Sequence, residues 1–196
     1  SLGSFLARAY AARHGSELAG LILCGTAGDA GALGKVGLGV AQAQARARGR
    51  KHNSGLLNTM SFGQYNKDFK PNRTDFDWLS RDPDEVDKYV ADPLCGNVFT
   101  TGFWIDLLGG LNYIHSTDTT AKVPKDLPIH LIAGSMDPVG AKTKGVEAVA
   151  GQYRKAGVKT VTTHYYIGAR HELLNETNRD EVTADVIAWL DSHLPS

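Results

Sequence analysis

The sequence predicts an α/β fold in which a parallel sheet is covered by helices. Two almost continuous apolar runs of strand length, at 18–26 and 127–134, are typical of strands buried on both faces. After residue 124, strand and helix patterns alternate with glycine at the junctions. This order favours right-handed crossovers between parallel strands.

In the first half of the chain, apolar spacing predicts the helices and glycine-rich sequence predicts a loop. A helix is predicted over 2–14, because apolar residues recur there at helical spacing, namely Phe5, Leu6, Ala9 and Tyr10. The strand at 18–26 follows, and then a Gly/Ala-rich loop at 27–34 and an Ala/Gln/Arg helix at 35–51. A third, strongly apolar helix is expected within 99–114.

The last third of the chain is the most regular part. It predicts a strand at 127–134, a helix at 142–156, a strand at 158–168 and a helix at 179–194. The last helix is expected to bury four apolar residues, Val182, Val186, Trp189 and Leu190. Together these patterns divide the chain into a first core part at 1–29, an insertion at 30–116 and a second core part at 117–196.

Composition excludes several classes of function. The 196 residues carry 21 basic and 21 acidic side chains, so the zero net charge gives no general reason to bind nucleic acid or an acidic membrane surface. No apolar run is long enough for a transmembrane segment. The two cysteines, Cys24 and Cys95, build neither a disulfide framework nor a zinc-like cluster, so we expect a reducing cytoplasm and no metal.

The insertion contains two segments of opposite charge. Between positions 75 and 92 the sequence contains seven carboxylates and only two basic residues, Arg81 and Lys88. Between positions 30 and 66 it contains five basic residues and no acid. We interpret the two segments as solvated helix faces that compensate one another. A rim that binds a charged headgroup is the alternative.

An acid and a histidine follow consecutive strands of the predicted sheet. Asp137 comes after the strand at 127–134, and His171 comes after the strand at 158–168. Side chains that follow parallel strands gather at one edge of the sheet, so the Asp can hold the His ring and stabilise its protonated form. The alternative is structural, with Asp137 capping a helix and His171 making a loop hydrogen bond.

The matching nucleophile is Ser1. The opening residues Ser1-Leu2-Gly3-Ser4 are consistent with the last three residues of a GxSxG turn and the start of the helix that follows it. A bare SxG is weak by itself, because small residues are common. The motif becomes informative because Ser1, Asp137 and His171 follow one another in the order Ser, Asp, His, which is typical of one particular fold.

Four stretches of the chain resemble a known family. They are SLGSFLARAYAARHGSELAGLILCGT, FDWLSRDPDEVDKYVADPLCG, LPIHLIAGSMDPVG and YYIGARHELLNETNRDEV. They are similar to the α/β-hydrolase superfamily, in its monoacylglycerol lipase or lysophospholipase branch, which is also grouped with serine aminopeptidase-like hydrolases. The similarity extends over essentially the whole chain from Ser1 onward.

The resemblance implies a role for each matching residue. Ser1 would be the nucleophile, Asp137 the acid and His171 the general base, while the Leu2 amide would donate to an oxyanion. The fold would be the C-terminal part of an α/β-hydrolase, with the insertion at 30–116 as a helical cap over an acyl pocket. No cofactor would be needed, and the first strands and a second oxyanion amide would come from a part of the same protein N-terminal to Ser1.

Three functions remain open at this point. The first is hydrolysis of small-molecule or lipid esters, with monoacylglycerols or lysophospholipids as substrates, and here Phe99, Phe103 and Trp104 would contact the acyl chain or form the core of the cap. The second is an aminopeptidase, whose acidic pocket for the substrate amine would have to come from 75–92. The third is a binding protein that keeps the fold without turnover.

Overall fold

A computed structural model describes residues 1–193, in which the strands form one parallel sheet. The strands β1 (Leu21–Cys24), β2 (Ile129–Gly134) and β3 (Val161–Tyr166) lie in the order β1-β2-β3. Leu21 pairs with Ile129, which pairs with Val161 on its other side. The predicted α/β class with a parallel sheet is therefore confirmed.

Eight helices surround the sheet in the described residues. They are α1 (Leu2–His14), α2 (Gly31–Arg48), α3 (Gly55–Phe62), α4 (Pro83–Ala91), α5 (Thr101–His115), α6 (Thr117–Ala121), α7 (Lys144–Lys155) and α8 (Arg179–His193). The helix predicted to begin at residue 35 starts at Gly31, inside the predicted loop. The predicted end of the last helix at Leu194 lies outside the described residues.

Helices cover both faces of the sheet. On one face, Ala11 and Ala12 of α1 and Val146 and Val149 of α7 share a core with strand residues such as Leu131. On the other face, Val182 of α8 packs with Ile132 and Tyr166. The apolar strands β1 and β2 are thus covered on both sides, whereas the edge strand β3 exposes Thr162 and His164.

The buried face of α1 consists of small residues and one arginine. Leu6 and Tyr10 are exposed, and the buried positions of this helix are Ser4, Arg8, Ala11 and Ala12. The small residues let α1 approach β1 closely, and the Arg8 guanidinium donates to the Ala27 carbonyl at 3.1 Å. Apolar spacing thus predicts the helix, but not all of its apolar residues face the core.

The buried face of α8 is narrower than predicted. Val182 is fully buried, Val186 and Trp189 are partly buried and Leu190 is exposed. Trp189 lies over the His130 ring with 5.4 Å between ring centroids, so it covers a strand histidine at the end of the helix. Beyond that point α8 no longer crosses the apolar part of the sheet.

The segment between β1 and β2 has a core of its own. Ala41 of α2, Leu57 of α3 and Trp104 of α5 form a buried cluster, and Phe62 and Phe103 pack against it. The boundaries at 29/30 and 116/117 stay predictions. Among residues 1–193, no helix combines the length and the apolarity needed to cross a lipid bilayer.

The two charged segments do not compensate one another, so that interpretation is wrong. The acids of the 75–92 segment pair instead with Arg73, Lys88 and Arg179, through Asp82, Glu85 and Asp87. Arg50 of the basic segment pairs with Asp106 of α5. The reason is placement, because α4 lies beside the start of α8 and α2 packs along α5.

Candidate active site

Ser1 lies at the carboxyl end of β1, directly before the first turn of α1. Its carbonyl accepts hydrogen bonds from the Ser4 amide at 2.9 Å and the Ser4 hydroxyl at 2.6 Å. Its amino nitrogen donates to the carbonyls of Cys24 at 2.8 Å and Gly25 at 2.7 Å. In the described chain its hydroxyl makes no capping hydrogen bond to α1, and the residue borders a large cavity.

Asp137 and His171 meet at the same edge of the sheet, as their positions after neighbouring strands predict. Asp137 Oδ2 accepts a hydrogen bond from His171 Nδ1 at 2.9 Å, and Asp137 Oδ1 accepts one from the Val139 amide at 2.9 Å. Both side chains are buried. A carboxylate can only accept, so Nδ1 carries the proton in this pair and Nε2 of a neutral ring remains an acceptor.

Gly25 separates Ser1 from the His171 ring. It adopts φ +57, and a Cβ added there would lie 3.0 Å from His171 Cε1 and 3.3 Å from the Ser1 nitrogen. The backbone of Ser1 and the His171 ring are therefore close neighbours. Within residues 1–193 the Ser1 hydroxyl makes no hydrogen bond to His171, a contact that is often long in an unliganded site.

A cavity of about 1150 Å³ opens beside Ser1 and His171. Its lining is mainly apolar and includes Phe99, Phe103 and Trp104, the three residues predicted to contact substrate. Their placement differs, because Trp104 is 2% exposed in the core of the insertion whereas Phe99 is 37% exposed. Leu2, the residue expected to supply an oxyanion amide, also lines this cavity.

The acidic residues of the cavity are not those that the sequence suggested for binding an amine. Of the carboxylates in the described chain, Asp29 and Glu172 line the cavity, and none of those in the 75–92 segment does so. The segment reaches the cavity with its aromatic and aliphatic residues, whereas its acids Asp82 and Glu85 pair with Arg179 of α8. The acidic pocket that an aminopeptidase would need is therefore not supplied by the carboxylates of this segment.

An aromatic group supports His171 from the insertion side. The Trp78 ring lies 5.2 Å from the His171 ring, and the Trp78 carbonyl accepts a hydrogen bond from the His171 amide at 3.4 Å. Tyr65 packs edge-on against Trp78 at 4.9 Å. Burial, with a smaller contribution from the charge of Asp137, raises the pKa of Tyr65 to about 12, so its phenol is neutral at physiological pH.

The loop around His171 is held mainly by hydrogen bonds to the neighbouring backbone. The charges of Arg170 and Glu172, which flank His171 in sequence, suggest ion pairs, but the described residues contain none for either side chain. Instead, Arg170 Nη1 donates to the carbonyls of Asp77 and Ser80, and Glu172 accepts from the Asn175 amide group at 2.9 Å. Burial lowers the pKa of the Arg170 guanidinium. The ion pair of this region is formed instead by the buried Glu176 carboxylate and the Arg81 guanidinium.

Glu176 lies in a polar stretch just before the last helix, where the sequence suggests only a helix start. The helix begins later, at Arg179, and Glu176 is fully buried. A charged residue in a polar stretch such as Asn175-Glu176-Thr177 carries no apolar periodicity, so no sequence signal marked it as buried.

The family model described as serine aminopeptidase, S33 matches residues 1–178, which is most of the chain. The chain belongs to this family. Among curated proteins, a monoacylglycerol lipase of Mycolicibacterium smegmatis is 27% identical over 195 residues, covering 99% of this chain and 61% of the relative.

Solved structures of hydrolases share the fold. A highly thermostable carboxyl esterase from Bacillus coagulans, in complex with glycerol, is 32% identical with a TM-score of 0.88, over 97% of this chain and 62% of that protein. A monoacylglycerol lipase of Paleococcus ferrophilus matches with a TM-score of 0.71 at 19% identity, over 99% of this chain and 66% of that protein. The resemblance to the α/β-hydrolase superfamily and its monoacylglycerol lipase-like branch is confirmed. This S33 chain spans about three fifths of the length of the first two relatives.

Proposed function

We propose that the protein is a serine hydrolase of carboxylic esters. The observation that carries the proposal is the buried 2.9 Å hydrogen bond from His171 to Asp137, made at a cavity that Ser1 also lines. In this pair the acid orients the ring and the ring is left with one free acceptor nitrogen. Such an arrangement is the supporting half of a nucleophilic triad.

The chemistry assigns one role to each residue. The Ser1 hydroxyl attacks the ester carbonyl while His171 Nε2 takes its proton, and Asp137 stabilises the imidazolium that forms. The Leu2 amide, at the first position of α1, belongs to the helical N–H groups that have no intrahelical acceptor, so it can donate to the developing oxyanion. The alcohol leaves with the proton from His171, and water attacks the acyl-enzyme with His171 again as base.

The cavity favours an apolar acyl group. Its volume of about 1150 Å³ and its aromatic lining suit a fatty acyl chain rather than a small acid. The curated relative is a monoacylglycerol lipase, and the most similar solved structure described above is a carboxyl esterase with glycerol bound. Monoacylglycerols and lysophospholipids are therefore the substrates that we propose.

An aminopeptidase is the competing reaction, because the family bears that description. It needs a carboxylate near the reacting carbonyl to hold the substrate's ammonium group. Of the two carboxylates that line the cavity in the described chain, Asp29 and Glu172, the second is next to His171 in sequence. The predominance of aromatic and aliphatic lining favours the ester reaction.

A fluorophosphonate probe tests the proposal directly. We expect the probe to label wild-type protein at Ser1 and to leave Ser1→Ala unlabelled. Ser61→Ala is the matched control, since Ser61 lines the same cavity, and it should label normally. Folded wild type that takes no label, or label that persists in Ser1→Ala, would overturn the mechanism. Faster turnover of aminoacyl anilides than of p-nitrophenyl acyl esters would favour the peptidase.

A further inference from the structure

Glu176 is a fully buried carboxylate that saturates both of its oxygens with hydrogen bonds. Oε1 accepts from the Arg170 amide at 2.7 Å and from the Arg81 amide at 3.2 Å. Oε2 accepts from Arg81 Nε at 2.8 Å and from the Thr177 amide at 3.1 Å. A buried charge is tolerated when it is paired and fully hydrogen-bonded, as it is here.

These bonds join two backbone segments that enclose the His171 ring. One partner amide belongs to Arg170, the residue directly before His171. The other partner amide belongs to Arg81, which follows Trp78 by three residues. The Trp78 ring packs against the imidazole, and the Trp78 carbonyl accepts a hydrogen bond from the His171 amide. Glu176 thus connects the loop that carries the proposed base to the segment that covers it.

Other contacts run between the same two segments and make the connection continuous. The Glu172 amide donates to the Leu79 carbonyl at 2.8 Å, and the Ser80 hydroxyl donates to the Asn175 carbonyl at 2.7 Å. Of the groups that join them, Glu176 is the one that is fully buried and charged in the described chain. It is the group whose loss leaves the most donors without an acceptor.

We propose that Glu176 is a positioning residue for His171, which fixes the imidazole between Asp137 and Ser1 by tying the 170–176 loop to the 77–81 segment. The proposal rests on the proposed ester hydrolysis. Glu176 acts through the backbone of Arg170 and through the Trp78 segment. The 2.9 Å bond from His171 Nδ1 to Asp137 Oδ2 depends on the position of this loop, and so does the orientation of the ring that carries Nε2.

Glu176→Gln tests the role of the carboxylate with almost no change in size. The amide oxygen can keep the bonds to the Arg170 and Arg81 amides, but the amide NH₂ then faces Arg81 Nε–H and the Thr177 N–H, which are also donors. We expect kcat for a p-nitrophenyl acyl ester to fall roughly ten- to a hundredfold with KM almost unchanged, because proton transfer and not substrate binding is disturbed.

Glu85→Gln is the matched control. Glu85 is also an acid that pairs with an arginine, Arg179, and it is mostly buried, but it lies on α4 outside the two joined segments. We expect its kcat to stay within about twofold of wild type. A second variant, Arg81→Gln, removes the same ion pair from its more exposed side and keeps the test usable where Glu176→Gln folds poorly. Arg81→Gln should lower kcat, as Glu176→Gln does.

A measurement that needs no substrate separates this inference from the proposed function. The His171 Nδ1 proton, bonded to Asp137, should give a downfield ¹H NMR signal in wild type that broadens or shifts in Glu176→Gln and persists in Glu85→Gln. If wild type neither labels nor hydrolyses esters, the proposed function fails whatever the signal does. If wild type is active while Glu176→Gln and Arg81→Gln keep both kcat and the signal, the positioning role is wrong.

Discussion

Asp137 and His171 form a buried hydrogen bond of 2.9 Å across 34 residues of sequence. Each side chain follows one of two neighbouring parallel strands, β2 and β3, whose ends are in register because Gly134 pairs with Tyr166. The loop after β2 turns back so that the Asp137 amide donates to the Gly134 carbonyl at 3.1 Å. Strand register and one tight turn therefore bring the acid to the edge of the sheet at which His171 lies.

Replacing Asp137 by Asn tests the function of this bond. The amide NH₂ of Asn would face Nδ1 as a donor, so the ring would turn to the tautomer that has no acceptor for the nucleophile. We expect kcat for ester hydrolysis to fall by about 10⁴-fold with the fold retained. Asp126→Asn, which alters an exposed pair with Lys159, should leave kcat unchanged. A comparable loss in both variants would point to a general defect instead of a role for Asp137.

Gly25 and Gly31 form a matched pair of glycines with left-handed backbone conformations, φ +57 and φ +55. Alanine pays about 1–2 kcal/mol for that conformation at either position. At Gly31 the added Cβ meets open space, whereas at Gly25 it meets the His171 ring at 3.0 Å. Urea unfolding should thus show similar losses of stability in the two variants, while kcat should fall about 100-fold or more in Gly25→Ala alone. Equal activities in the two variants would show that the close approach of Gly25 to His171 is unimportant.

The parts of the fold that sequence predicts well are those with one dominant pattern. The strands β1 and β2 are apolar because both faces are covered, and the order of strands and helices after Gly134 leaves one topology. The face that α1 buries could not be predicted from the sequence, for a physical reason. Arg8 is buried in that helix, and an arginine whose guanidinium reaches main-chain carbonyls looks like a surface residue in sequence.

The residues of the candidate site likewise fall into a group that the sequence predicts and a group that it does not. Asp137 and His171 could be predicted because strand ends converge, and the structure brings them together. The contact of Trp78 with His171 and the pairing of Glu176 with Arg81 could not, because both depend on the path of the long segment between β1 and β2. Local patterns contain no information about contacts between residues almost a hundred positions apart.

The contact between buried Arg8 and partly buried His115 predicts how stability depends on pH. Burial, and then the positive charge of Arg8, lower the pKa of His115 below its ordinary value of 6.5. The folded protein therefore binds this proton less readily than the unfolded chain does. The stabilising contribution is complete above about pH 6.5 and is lost as the pH falls below it towards the pKa of the folded state.

His115→Gln should flatten that part of the profile. Glutamine can still donate to Gln152, which accepts from His115 Nδ1 at 3.2 Å, but it does not titrate. We expect the free energy of unfolding in urea to drop less between pH 7.5 and pH 5.5 in the variant than in wild type. His14→Gln, on the surface beside Glu17, controls for the loss of any histidine. An unchanged slope for His115→Gln would refute the assignment.

Phe99 is the cavity aromatic whose removal best reports acyl recognition. Its ring stacks on Phe103 with 4.1 Å between centroids, and it is the most exposed of the three predicted substrate contacts, so truncation costs little of the core. If the Phe99 ring contributes about 1.4 kcal/mol of apolar contact to the transition state, its removal lowers the rate about tenfold. This loss applies only to an acyl chain that is long enough to reach the ring. Phe99→Ala should therefore reduce kcat/KM about tenfold for a p-nitrophenyl ester of a long fatty acid and barely change it for the acetate.

Leu94→Ala is the matched control for Phe99→Ala, because Leu94 lies in the same part of the insertion but is 87% exposed and does not contribute to the described lining of the cavity. It should leave both esters unaffected. Trp104→Ala would not serve the same purpose, since its ring is buried in the core of the insertion and its loss would cost about 3–5 kcal/mol of stability. Equal losses on the long and the short ester in Phe99→Ala would mean that the ring shapes the cavity without contacting the acyl chain.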